Sequence, residues 1–92
     1  MIRSFADKET EQVFNHRHSR HYAAIERVAL RKLRQIHTVS AVEELYQPPG
    51  NVLEKLKRDR QGQWSLRINE QYRVCFRWSD GDAYEVEIVD YH

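Results

Sequence analysis

The sequence predicts an α+β domain in which a curved antiparallel β-sheet, formed as a C-terminal meander, packs on N-terminal α-helices. Three observations carry this. Tyr22, Ile25, Ala29, Leu33 and Ile36 recur at steps of three and four, the repeat of one helix face. From Trp64 to Ile88 the repeat shortens to two, as strands with one buried face require. Between the two regimes stands Pro48-Pro49-Gly50, which stops any helix, because proline lacks an amide donor and disfavours helical geometry at the residue before it.

The 92 residues are read as one domain, 1–92, since neither half alone buries a core. With 40% hydrophobic and 32% charged residues the composition is that of a globular protein, not a disordered segment. Apolar runs fall far short of the roughly 20 residues of a membrane span. Met1-Ile2-Arg3-Ser4-Phe5-Ala6-Asp7 lacks the apolar stretch of a secretory signal, so a cytoplasmic location and no membrane partner are expected. A single cysteine, Cys75, excludes an internal disulfide and a cysteine-based metal knuckle. The net charge of +1 conceals a segregation: Lys55, Lys57, Arg58, Arg60, Arg67, Arg73 and Arg77 crowd one segment, and Asp80, Asp82, Glu85, Glu87 and Asp90 follow it. Local fields of this kind, not the net charge, steer a polyanion.

In chain order, Met1 to Phe5 reads as an edge strand and Lys8 to Arg17 as a helix with a narrow apolar stripe at Val13 and Phe14. Ser19 is placed to cap the long helix that carries the Tyr22–Ile36 stripe, because its oxygen can accept from a free amide of the first turn. Arg27, Arg31, Lys32 and Arg34 lie mainly off the stripe. Ser40-Ala41-Val42-Glu43 fits a capping box opening one helical turn to Leu45. Val52 to Leu56 reads as a first strand and Lys57 to Gly62 as a charged turn. Three strands follow, with Trp64, Leu66 and Ile68, then Tyr72, Val74, Phe76 and Trp78, then Tyr84, Val86 and Ile88 on the core side. A three-residue Ser79-Asp80-Gly81 loop is expected, setting Phe76 opposite Tyr84 and Val74 opposite Val86, since a two-residue loop would mismatch the faces. Arg67, Arg73, Arg77, Glu87 and Tyr91 then fall on the outer face.

Two constellations bear on chemistry. Lys57, Arg58, Arg60, Arg67, Arg73 and Arg77 are interleaved with Trp64, Tyr72 and Trp78, a mixture suited to phosphates and unpaired bases of single-stranded RNA. The competing reading is a solvated arginine face paired with Glu85 and Glu87, with the aromatics in the core. The second is Asp90-Tyr91-His92: histidine titrates near neutrality and moves a proton, tyrosine donates or stacks, aspartate orients a cation. Its competing reading is a frayed terminus. His16, His18 and His21 match no zinc signature, and Cys75 sits mid-strand as a packing residue, so neither a metal nor a cofactor is expected.

Leu56-Lys57-Arg58-Asp59-Arg60, the run Gly62 to Asn69, Tyr72-Arg73-Val74-Cys75-Phe76, Gly81-Asp82-Ala83-Tyr84, Val89-Asp90-Tyr91-His92 and the opening Met1 to Phe5 resemble the HigB toxins of the RelE superfamily, the killer proteins of plasmid-maintenance toxin–antitoxin pairs. The resemblance spans nearly the whole chain and is loosest from Asp7 to Gln47. It implies a RelE-like fold and a metal-independent endoribonuclease that enters the ribosomal A site and cuts mRNA there. It implies a helix-turn-helix antitoxin as partner, with operator DNA bound only through that antitoxin. By position, Lys57 and Arg73 would stabilise phosphate charge, His92 with Tyr91 and Asp90 would move the proton and orient the nucleotide, and Arg58, Arg60, Arg67 and Arg77 would bind RNA. The competing function is a catalytically weak RNA-binding or antitoxin-bound corepressor module. Two departures from the family pattern stand out: Arg58 replaces a common glycine, and Glu54 stands where some relatives carry a catalytic histidine, which leaves Glu54 as a substitute base or, preferentially, an edge-strand residue.

Overall fold

The computed structural model describes residues 1–91. Helices α1 (Lys8–Phe14) and α2 (Glu26–Thr38) precede strands β1 (Glu54–Lys55), β2 (Gln63–Arg67), β3 (Tyr72–Ser79) and β4 (Asp82–Asp90), with single 3₁₀ turns at Val42–Tyr46, Pro49–Asn51 and Arg58–Arg60. The strands form one antiparallel sheet in the order β1-β2-β3-β4. Val13, Ala29, Leu33, Ile36 and Leu45 from the first half meet Leu66, Val74, Phe76, Ala83 and Val86 from the sheet, all fully buried. This is the α+β arrangement that the change of period predicts.

The helices are shorter than the periodicity suggests, for local reasons. Asp7 caps α1, its Oδ1 accepting from the Thr10 amide at 2.7 Å. The helix stops at Phe14 instead of Arg17 because His16 turns left-handed (φ 60°), with its amide donating to Val13 O and the Arg17 amide to Gln12 O. Ser19 caps a turn, not the long helix: its Oγ accepts from the Tyr22 amide at 3.4 Å, and α2 starts only at Glu26. Tyr22 still faces the core because its hydroxyl donates to Ile88 O and its ring meets Tyr72 edge-on. The capping residue expected at Glu43 is Glu44, which accepts from the amides of both Ser40 and Ala41. Ala41 has no side-chain oxygen, so only that half of the box forms.

The β3–β4 hairpin corrects the expected register. Its loop is Asp80-Gly81, both at positive φ (50° and 82°), with Ser79 opposite Asp82, the two-residue form that matches strand twist. The mismatch of faces that such a loop creates is repaired by a bulge: Arg77 pairs with Tyr84 but Cys75 pairs with Glu87, and Glu85 takes φ 52°. Below the bulge Val74 faces Ile88; above it Ala83, not Tyr84, takes the core side. The bulge amide of Glu85 donates to Ser4 Oγ at 2.9 Å.

That serine belongs to an N-terminal segment running parallel along β4 through bridges at Ile2 to Ala83 and Phe5 to Val86. Farther along, Thr10 Oγ1 accepts from the Ile88 amide. The exposed edge of β4 is thereby closed by the first half of the chain, which removes a template for pairing with other chains.

Candidate active site on the outer face of the sheet

Register alone assembles the site. Glu54, Ser65, Cys75 and Glu87 form one row across all four strands, flanked by Arg67, Arg73 and Val89 on one side and Gln63, Arg77 and Tyr84 on the other. Side chains alternate along each strand, so the face opposite the helices collects these polar groups while Trp64, Leu66, Val74, Phe76 and Ile88 point inward.

Arg73 is the centre of this face. Its side chain is 11% exposed, unusual for an arginine on a face away from the core. Nε donates to Ser65 Oγ at 2.8 Å, one terminal nitrogen donates to Val52 O at 2.5 Å, and the other faces Glu54 Oε1 at 3.1 Å. The Tyr91 ring lies 5.8 Å from its Cζ, within cation–π range. Val52 offers its carbonyl from a left-handed backbone (φ 44°), a conformation costly for a β-branched residue and of the kind that collects at functional sites. Arg67 stands directly opposite Arg73 and forms no ion pair among the described residues. Two arginines thus occupy paired positions of this face, and Glu54 pairs with one of them.

The turn before β2 supplies the other cations. Lys57 is exposed, forms no ion pair among the described residues, and lines a shallow cleft of about 430 Å³ with Lys55, Leu56, Gln61 and Gly62. Arg58 adopts φ 57°, the left-handed geometry that explains why glycine suits this position. The guanidinium of Arg60 donates to Gln63 Oε1 at 3.0 Å and to Glu87 Oε1 at 2.7 Å, and the Glu87 bond holds its pKa above the ordinary value. Arg77 pairs with Glu85 at 3.3 Å. Cys75, on the same face, is fully buried, and burial pushes its thiol up to about 11.

At the end of β4, Asp90 accepts from Gln71 Nε2 at 3.0 Å and the Tyr91 amide donates to Gln71 O at 2.6 Å. Gln71 is itself set by Asn69, whose Oδ1 accepts from the amides of Gln71 and Tyr72. The β2–β3 turn therefore aims Asp90 and Tyr91. His92 lies outside the described residues.

The structure thus joins Arg73 and Tyr91, places Arg67 beside Arg73, and sets Lys57 and Arg58 in the neighbouring turn. Ser65, Val52 and Gln71 were not anticipated as site residues. Ser65 was legible from the period of two, which puts it on the face of Arg67; a backbone carbonyl such as Val52 O leaves no trace in a sequence. Glu54 is more than an edge residue, since it pairs with Arg73. Tyr84 joins the outer face through the two-residue loop. The three histidines near residue 18 separate: His18 faces Glu26 at 3.6 Å, His21 packs on Tyr22, and His16 ends α1.

A family model described as "RelE-like toxin of type II toxin-antitoxin system HigB" matches residues 3–92. The chain is 39% identical over 85 residues to Toxin HigB-1 of Vibrio cholerae, covering 90% of each chain. It is 36% identical over 61 residues to Endoribonuclease HigB of Proteus vulgaris, covering 66% of this chain and 65% of that one. In fold it is similar to a chain of the YoeB-YefM complex from Staphylococcus aureus, with a TM-score of 0.57 at 14% identity, covering 100% of this chain and 98% of the other. The alternating strands, the arginine-centred outer face and the match over residues 3–92 converge: the chain belongs to the HigB-like toxins, RelE-like toxins of type II toxin–antitoxin systems.

Proposed function

We propose that the protein is a metal-independent endoribonuclease that cuts mRNA in the ribosomal A site and so inhibits translation. The observation that carries this reading is Arg73, nearly buried on the outer face, oriented by Ser65 and Val52 O and flanked by the Tyr91 ring. A guanidinium held in this way is prepared for the negative charge of a phosphate in flight, and loss of one such donor costs roughly 3 to 4 kcal/mol of barrier. Lys57 adds a second cation from the adjacent turn. The ribose 2′-hydroxyl attacks the phosphorus, the bond to the leaving 5′-oxygen breaks, and a cyclic phosphate remains; His92, assigned from the sequence resemblance, moves the proton with Tyr91 and Asp90 orienting the nucleotide. Arg58, Arg67 and Arg77 contact the RNA backbone. The ribosome supplies orientation that this small site lacks. A helix-turn-helix antitoxin neutralises the toxin and alone carries it to operator DNA, and both act in the cytoplasm.

Induced expression tests the reading: growth arrest is expected from the wild type and not from His92→Ala. With purified ribosomes and mRNA in magnesium buffer, cleavage should be unchanged by treating the toxin with EDTA and desalting it before mixing, and should vanish without ribosomes. Full toxicity of His92→Ala would remove that residue from catalysis, and cleavage of free RNA would remove the ribosome requirement. Glu54 on the Arg73 guanidinium favours a second reading, a weakly catalytic corepressor module, for which induced wild type would leave growth unchanged.

A further inference from the structure

We propose that Arg60 and Glu87 form a strap across the outer face that positions Lys57, making Arg60 a positioning residue and not a phosphate ligand. The proposal rests on the ribonuclease reading above. Arg60 belongs to the 3₁₀ turn before β2, whereas Glu87 lies on β4, two strands away, or about 10 Å at the usual strand spacing. Their 2.7 Å contact therefore bridges β3 on its outer side, above Cys75, the residue paired with Glu87. This cover accounts for the complete burial of Cys75 on a face otherwise turned to solvent. Gln63, itself 9% exposed, holds the same guanidinium nitrogen at 3.0 Å.

The turn depends on this link. Lys57 O accepts from the Arg60 amide at 3.2 Å, so the strap is one backbone hydrogen bond from the lysine it would place. Near the turn, the backbone tie to the sheet is Leu56 N to Gln63 O at 2.8 Å. Arg58 between the two is held left-handed, which strains the turn, and its carbonyl accepts from the Gln61 amide at 3.0 Å. A carboxylate in the middle of an RNA-binding face is otherwise unfavourable, since it repels phosphate; holding Arg60 gives Glu87 a role that offsets this.

The two roles for Arg60 make opposite demands on Glu87. A phosphate-binding Arg60 is released by Glu87→Gln, so RNA affinity holds or rises. A positioning Arg60 needs Glu87, so Arg60→Gln and Glu87→Gln do the same damage. Single-turnover cleavage on ribosomes and the salt dependence of ribosome binding separate them. Each single variant is expected to slow cleavage by about ten to a hundred-fold, as a displaced catalytic group does. The double variant should be no slower than the worse single, Arg60→Lys should recover part of the rate, and the salt slope should stay at the wild-type value. A wild-type rate in Glu87→Gln, or a salt slope reduced by about one in Arg60→Gln with an unchanged rate at saturation, would overturn the strap. Amide hydrogen exchange of residues 57–62 reads it without activity. Equal loss of protection in both single variants supports it even if wild type cuts nothing on ribosomes, a result that would sink the ribonuclease reading alone; protection as in wild type overturns it.

Discussion

Asn51 joins the two halves of the chain, and its removal should be among the most damaging single changes outside the apolar core. The side chain is fully buried; its Oδ1 accepts from Lys32 Nζ at 2.5 Å, and its Nδ2 donates to Gln35 Oε1 at 3.0 Å and to Leu45 O and Gln47 O at 3.1 Å each. Lys32 is 7% exposed, and burial, with Arg31 second, lowers its pKa. Asn51→Ala strands this ammonium and leaves Leu45 O without its donor, whereas Gln47 O keeps its bond from Gln35 Nε2 at 2.7 Å. Taking the partner from a buried charge costs about 3 to 5 kcal/mol, and the one orphaned carbonyl about 1 to 3. Because water enters the space left and rescues part of this, a net loss of about 3 to 5 kcal/mol is expected. Urea unfolding checks it: with a slope near 2 kcal/mol/M, the midpoint falls by about 1.5 to 2.5 M at unchanged slope. Lys32→Met/Asn51→Leu, which replaces both partners by apolar groups, should recover most of the loss. A drop under about 1 kcal/mol in Asn51→Ala, or strict additivity of Lys32→Met and Asn51→Ala, would refute the junction.

Three further outcomes follow from named positions. Cys75 should resist alkylating reagents at pH 8 until the protein unfolds; its thiol titrates near 11 in the fold against 9.0 outside it, so the unfolded chain loses that proton first and stability falls as pH rises from 9, by about 1 kcal/mol at pH 10, a loss that Cys75→Ala should remove in urea titrations at pH 8 and 10. Arg58→Gly, at φ 57°, should raise stability by about 0.5 to 1 kcal/mol, since relief of the left-handed strain exceeds the backbone entropy that glycine adds; a lower urea midpoint would contradict the turn geometry. Glu54→Gln removes a carboxylate competing for Arg73 and should tighten binding of mRNA-programmed ribosomes up to about five-fold, the worth of an exposed pair; unchanged or weaker binding would show that Glu54 does not compete with phosphate.

Much of this protein is legible in its residues. The division into helices and sheet followed from the change of period at Pro48-Pro49-Gly50, and the strand faces from alternation, which is why Arg67, Arg73 and Arg77 were placed outside and Val74 and Phe76 inside. Alternation is a local rule, set by the pleat of each strand, and it fails only where the count is broken. The break came at Glu85. The two-residue loop moves the register by one, so Tyr84 emerges on the outer face; the bulge adds a second step, which keeps Val86 and Ile88 in the core but sets Ile88, not Val86, opposite Val74. The signal for it was present in Asp80-Gly81, a favoured two-residue hairpin turn, but a turn competes with the face pattern and the sequence does not say which yields.

Fold class, family and the arginines of the outer face can all be read from the residues in order, because apolar periodicity and side-chain chemistry are written residue by residue. The partners that those arginines engage come from the folded arrangement. Arg73 is oriented by Ser65, Glu54 and a carbonyl 21 positions away, and Arg60 is paired with a carboxylate 27 positions on. Such partners depend on strand order, register and one bulge, and the free energy that selects them is spread over the whole core, so no local pattern in the chain records it.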